Sequence, residues 1–256
     1  MSAAASPAAG PVLETRGLSK SFGGVRAVIG VDLAMPTGEI RALIGPNGAG
    51  KTTLFNMLIG QLRADAGEVR FKGERLSGLS PYAVWRRGVS RTFQITATFA
   101  TLTALDNVRV ARLSHAGKTY ALLETASRQQ GDEARALLDL VGLGDQADRI
   151  AAVLAYGDLK KLELAVALAN DPEVLLLDEP TAGMAPAERG VLMALTERIA
   201  RARGLTVLFT EHDMDVVFTV ADRIMVLHQG RVIAEGRPAE VRADAQVQRV
   251  YLGEEA

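Results

Sequence analysis

The sequence predicts an α/β fold: a mainly parallel sheet flanked by helices, with an N-terminal antiparallel β-subdomain and an inserted α-helical subdomain. Three observations lead there. Val174 to Leu177 has the unbroken hydrophobicity of a strand covered on both faces, and the mostly apolar runs Ile40 to Ile44 and Leu205 to Phe209 read as strands beside it. A glycine-rich turn follows Ile40 to Ile44 and opens a helical segment, Leu54-Phe55-Asn56-Met57-Leu58-Ile59. From about Pro81 to Ala169 the chain turns rich in Ala and Leu at helical spacing.

The elements follow in order. Residues 1–11 are mostly Ala, Ser, Pro and Gly, and read as a disordered tail. They lack the basic start and apolar stretch of a signal peptide. A single domain is expected over 12–253, with 12–80 and 170–253 forming the core and 81–169 the helical subdomain. Val12 to Leu33 mixes short apolar runs with Gly23-Gly24 and charged residues, as strands and turns do. Gly67 to Gly73 alternates like a half-exposed strand. Ala134, Leu137, Leu138 and Val141 share one helix face, and Gly142 stops that helix. Leu159, Leu162, Val166 and Ala169 mark another helix, and Val191, Leu192, Leu195 and Ile199 a third. Ile224 to Leu227 and Val232 to Ala234, split by Gln229-Gly230, predict a hairpin.

The bulk properties bound the partners. The chain has 256 residues, 48% of them hydrophobic, and a formal net charge of -1. That balance speaks against a general nucleic-acid binder. It has 0 cysteines, which excludes disulfides and thiolate metal sites. No apolar run approaches the ~20 residues that span a bilayer, so any membrane role is expected through partners.

The turn carries the chemistry. Gly45-Pro46-Asn47-Gly48-Ala49-Gly50-Lys51-Thr52-Thr53 fits the phosphate-loop pattern G-x-x-x-x-G-K-[ST] between a strand and a helix, so the core is that of a P-loop NTPase. Glycines let successive N–H groups point inward at phosphate oxygens, and the helix adds its positive end. Lys51 is expected to reach the β- and γ-phosphates, and the Thr52 hydroxyl to bind Mg²⁺. Asp178 and Glu179 directly follow the run Val174 to Leu177. Asp178 is expected to hold Mg²⁺ and Glu179 to polarise the attacking water. His212 follows Leu205 to Phe209 at a strand's carboxyl end, where it suits a γ-phosphate sensor. His115 and His228 have no comparable context.

Three further segments complete a pattern: Arg91-Thr92-Phe93-Gln94, then Leu154-Ala155-Tyr156-Gly157-Asp158 heading an amphipathic helix, then the acidic strand. In order and rough spacing the chain resembles the ATP-binding subunits of ABC transporters, from Val12 to Gly253. Within that family it is most similar to import ATPases for branched-chain and other hydrophobic amino acids. The cues are Ser21-Phe22-Gly23-Gly24, the tyrosine-bearing signature, Glu211-His212-Asp213-Met214 and Tyr251-Leu252-Gly253-Glu254.

The resemblance implies further roles. Phe22 would stack on adenine. Gln94 would touch Mg²⁺ or the attacking water and relay nucleotide state to a transmembrane permease subunit. Leu154 to Asp158, with Tyr156 and Gly157, would contact ATP held by a second ATPase subunit, a copy or a paralogue, in a nucleotide-sandwich dimer. A periplasmic or extracellular solute-binding protein would act indirectly, and the chain would sit on the cytoplasmic face of the membrane. Two positions depart from the family pattern: Ala155 stands where a serine is usual, and Ala185 where an aspartate is usual. Rival readings are the same motor for urea, amides or lipid-linked solutes, a soluble ABC ATPase acting on nucleic acid, and a P-loop kinase.

Overall fold

A computed structural model describes residues 10–92, 98–115 and 124–252. The N-terminal strands are β1 (Leu13–Phe22) and β2 (Val25–Met35), followed by β3 (Ile40–Ile44) and helix α1 (Lys51–Leu58). Next come β4 (Ala66–Phe71), β5 (Glu74–Arg75), α2 (Pro81–Arg86) and β6 (Val89–Thr92). A run of helices follows: α3 (Ala104–His115), α4 (Glu124–Leu140) and α5 (Tyr156–Leu168). The chain then alternates β7 (Val174–Asp178), α6 (Pro186–Arg203), β8 (Thr206–Thr210) and α7 (Met214–Val220). It closes with β9 (Arg223–His228), β10 (Arg231–Gly236), α8 (Pro238–Ala243) and α9 (Ala245–Leu252).

Two sheets form. One is antiparallel, in the order β2-β1-β4-β5, and the other has six strands in the order β10-β9-β3-β8-β7-β6. In the larger sheet β6, β7, β8, β3 and β9 run parallel, and β10 closes the edge as the antiparallel arm of the expected hairpin. The central parallel strands β3, β7 and β8 are largely apolar on both faces because both faces are covered. Along β3, Ile40, Ala42 and Ile44 point into a core shared with the helical layer, whereas Leu43 points into a second core under the antiparallel sheet. Along β7, Leu175 and Leu177 take the first side, Val174 and Leu176 the second. This period of two explains why alternation is invisible in the sequence. Helix α1 contributes Leu54, Phe55 and Leu58 to the second core, so the turn that precedes α1 is fixed from both sheets.

The helical region differs from expectation at its start. Residues from Pro81 were expected to open a helical subdomain, yet Val89–Thr92 is an edge strand of the large sheet, paired in parallel with β7. The helical layer consists of α3, α4 and α5, and its core includes the expected Ala134, Leu137, Leu138 and Val141. Val191, one of the residues that mark α6 in the sequence, is 63% exposed; the buried stripe runs through Leu192, Met193, Thr196 and Ile199.

One buried charge belongs to the scaffold. Arg41, 2% exposed within β3, donates to Glu39, to Glu235 of β10 and to the Ala34 carbonyl of β2. It joins both sheets, and its carboxylate partners satisfy a cation that would otherwise be costly to bury.

Candidate nucleotide-binding site

The glycine-rich turn sits at the carboxyl end of β3. Gly50 caps α1 in the left-handed region, at φ 106, with no side-chain cap. A Cβ there would lie 2.2 Å from the Ala27 carbonyl oxygen of β2, so only glycine fits. The turn is also stitched to the β9–β10 hairpin: Gly230 N–H donates to Ala49 O at 2.9 Å and Ile29 N–H to Gly230 O at 2.8 Å. Asn47, Gly48 and Thr52 are exposed, Pro46, Gly50 and Thr53 half-buried, and Gly45, Ala49 and Lys51 buried. The Lys51 ammonium folds back to donate to Gly45 O at 2.5 Å and Pro46 O at 3.2 Å. Burial pushes its pKa below the usual lysine value, while the Glu179 and Asp178 carboxylates pull it the other way. Lys51 thus lies in the field of both acids that the sequence singled out.

Asp178 ends β7 and Glu179 follows it. Asp178 is 3% exposed. Its Oδ1 accepts from Thr210 Oγ1 at 2.8 Å, and its Oδ2 accepts from Arg91 Nη2 at 2.6 Å. Thr210 is the register partner of Asp178 across β8, which is why a threonine there meets the carboxylate. Glu179 takes a left-handed conformation at φ 49. A non-glycine residue in this region is strained, and such strain concentrates at functional sites. It is held by its N–H, which donates to Thr210 Oγ1 at 3.0 Å, and its Oε1 lies 2.9 Å from His212 Nε2.

The loops beyond β7 and β8 are stapled together. Buried Glu211 accepts from Thr181 N–H at 2.9 Å and Thr181 Oγ1 at 2.6 Å, and its other oxygen accepts from His212 N–H at 3.2 Å. Asp213 caps α7 and accepts from Arg189 of α6 at 3.1 Å. That arginine's hydrogen bond, seconded by the Val216 N–H, holds the Asp213 carboxyl below the usual carboxylate range.

The remaining expected residues take separate positions. Phe22 ends β1 and is 50% exposed, with the Lys20 ammonium 5.6 Å from its ring centre. Gln94 lies outside the described residues. Tyr156 opens α5 half-exposed, and its hydroxyl donates to Ala182 O at 2.7 Å. Ala155 and Ala185 are the N-caps of α5 and α6, and neither supplies a side-chain hydrogen bond. Losing an N-cap acceptor leaves helix N–H groups for other partners.

Mg²⁺ fits this donor set. Asp178 and the Thr52 hydroxyl are hard oxygen donors, and Mg²⁺ characteristically takes one or two protein oxygens with phosphates and waters. Among the described residues no group of three or more His, Cys, Asp or Glu forms a metal cage.

Comparison with known proteins identifies the arrangement. The family model described as ABC transporter matches residues 28–182. The chain belongs to the ABC transporter family. A second model, the branched-chain amino acid ATP-binding cassette transporter, matches residues 231–256 of this cassette. It is 39% identical over 251 residues to the high-affinity branched-chain amino acid transport ATP-binding protein BraF of Pseudomonas aeruginosa, covering 95% of this chain and 98% of the relative. It is 40% identical, with the same coverage, to LivG of Escherichia coli K12, which carries the same description. A crystal structure of an ABC-transporter cassette in its ADP conformation superposes with a TM-score of 0.85 at 31% identity, covering 94% of this chain and 98% of that one.

Two features of the cassette escaped sequence reasoning. The first is the polar staple of Thr210, Glu211, Arg91 and Asn56 around the acids. The second is a cavity of about 380 Å³ between α2 and β6 on one side and α3 and α5 on the other. Tyr82, Trp85, Phe99 and Val110 line it, and Tyr82, Phe99 and Val110 are exposed. No helix among the described residues is long and apolar enough to cross a membrane.

Proposed function

We propose that the chain binds and hydrolyses ATP with Mg²⁺ as one of two cassettes driving a membrane importer, and that the imported solutes are branched-chain amino acids. The observation carrying the catalytic part is the gathering of Lys51, Asp178, Glu179 and His212 at one end of the sheet, with His212 2.9 Å from Glu179. The solute assignment is supported by the names of BraF and LivG and by the second family match.

Each residue then has a task. N–H groups of Gly45 to Thr53 cradle the β- and γ-phosphates, and Lys51 turns its ammonium from the loop carbonyls onto their oxygens. Thr52 and Asp178 would hold Mg²⁺, and Gln94 would join them. When bound, Mg²⁺ would neutralise charge that develops on the phosphate. Glu179 accepts a hydrogen bond from the attacking water and aims it in line. His212 steadies Glu179 and donates toward the γ-phosphate. Phe22 offers an exposed aromatic face to adenine. Leu154 to Asp158, chiefly Tyr156 and Gly157, present the free N–H groups of α5 to ATP held by a second cassette, which is another copy or a paralogue.

The apolar cavity beside β6 suits a cytoplasmic segment of a transmembrane permease subunit, with the cassette peripheral on the cytoplasmic face and a solute-binding protein acting indirectly. Closure of the cassettes around ATP then moves the permease between its states.

Reconstitution tests this reading. Cassettes and permease are placed in vesicles and ATP hydrolysis is followed with binding protein loaded by leucine, isoleucine or valine. Stimulation by these solutes and not by urea or amides is expected. Stimulation by urea or amides alone contradicts the solute assignment.

A further inference from the structure

Arg91 has no part in the mechanism above, yet it is one of the most constrained cations in the cassette. It lies on β6, opposite Leu176 in the register with β7, so its side chain runs toward Asp178 two residues further along. Its side chain is 7% exposed and that of Asp178 3%. Nη2 donates to Asp178 Oδ2 at 2.6 Å, and Nη1 donates to Asn56 Oδ1 of α1 at 2.6 Å. The guanidinium lies over the Phe55 ring, 5.7 Å from its centre. The same residue lines the cavity beside β6.

Both Asp178 oxygens are therefore engaged inside the protein, one by Thr210 and one by Arg91. A buried carboxylate is costly without a counter-charge, and Arg91 provides it. A divalent cation drawn to this carboxylate meets a guanidinium already there. Two cations at one carboxylate repel in a poorly solvated site, so the metal and Arg91 compete for Oδ2.

We infer that Arg91 is a positioning residue that holds the Asp178 carboxylate as a counter-cation and yields it to Mg²⁺, so that metal entry is felt at β6 and in the cavity wall. The inference rests on the reading of Asp178 as a Mg²⁺ ligand. It makes β6 a physical link between the nucleotide and the cavity, because one side chain touches Asp178, helix α1 and the cavity at once. When the carboxylate turns to the metal, Arg91 keeps its Asn56 bond and gives up the Asp178 ion pair, and the constraint between β6 and β7 relaxes.

The chain supplies its own reporter. Trp85 is its only tryptophan and lines the same cavity. The experiment titrates Mg²⁺ into the full-length protein held at half-saturating ATP, reading the fraction of nucleotide bound and Trp85 emission. It compares wild type, Arg91→Gln and Arg91→Lys. In wild type, Mg²⁺ is expected to change Trp85 emission beyond the effect of ATP in EDTA. In Arg91→Gln the half-saturating Mg²⁺ concentration should fall by roughly tenfold, since the competing charge is gone, and the Mg²⁺-dependent emission change should disappear. Arg91→Lys, which keeps a cation and the fold, should bring the Mg²⁺ requirement back toward wild type. Wild-type Mg²⁺ dependence and emission change in both variants would overturn the inference while leaving the function intact. Absence of any Mg²⁺-dependent ATP binding in wild type would instead remove the function on which it rests.

Discussion

His212 Nε2 stands 2.9 Å from Glu179 Oε1, joining the loop after β8 to the residue that follows β7. The pairing depends on sheet order. Strands β7 and β8 are neighbours in the parallel sheet, so their carboxyl ends bring residues 178 and 179 beside residues 210 to 212. Thr210 and Glu211 fix both loops, and the left-handed backbone at Glu179 turns its carboxylate toward the histidine. The result is an acid held by backbone and neighbours before any substrate arrives, which is what positioned catalysis requires.

Replacing that acid separates binding from chemistry. Glu179→Gln should retain ATP binding while turnover falls by about 10²–10⁴, the usual worth of a general base. The trapped nucleotide should produce an ATP-dependent dimer on a sizing column. A fully active variant would show that another group orients the water.

Lys51→Ala should abolish ATP binding or hydrolysis without unfolding the protein. Among the described residues its ammonium bonds to the loop carbonyls of Gly45 and Pro46, so truncation breaks no hydrogen bond to a carboxylate there. Circular dichroism checks the fold and an ATPase assay the activity. Near-normal turnover would remove Lys51 from the phosphate site.

Phe22→Ala should weaken ATP more than inorganic triphosphate. An aromatic pair contributes about 0.5–1.5 kcal/mol beyond area burial, roughly a twofold to tenfold change in affinity. Competition binding with both ligands measures the difference, and equal losses would refute stacking.

Asp222 provides a pH test of the scaffold. Burial pushes its carboxyl up, but the Arg201 hydrogen bonds and the Ile40 N–H outweigh it and hold the pKa below the usual range. A depressed carboxylate stabilises the fold above its unfolded pKa of about 4, and that stability is lost as pH falls through the folded value. Asp222→Asn should therefore lower the urea midpoint at neutral pH, and the gap to wild type should narrow below about pH 4. A constant gap across that window would show that charge at Asp222 contributes nothing.

What the sequence made legible follows from locality. The strand–turn–helix around Lys51 is contiguous, and Gly45 and Gly50 are demanded by contacts with β9 and β2 that leave no room for a side chain. Asp178, Glu179 and His212 could be placed because they directly follow apolar strands. Arg91, Asn56, Thr210 and Glu211 could not, because their roles arise from register between strands distant in the chain. Val89-Ser90-Arg91-Thr92 was hidden in a helix-rich region, since an edge strand of four residues with an arginine has too little apolar signature. Arg41 reads as a surface charge in sequence. Only the meeting of β2, β3 and β10 supplies the partners that let it be buried. The C-terminal helices α8 and α9 are 6 and 8 residues long, shorter than the window over which a helical period can be read.

The most direct trial of the whole account is an equilibrium titration of the purified chain, alone and with its permease, using ATP in the presence of Mg²⁺ and in EDTA. Saturable binding that strengthens with Mg²⁺ is the predicted result. No Mg²⁺-requiring affinity for ATP in either setting would contradict it.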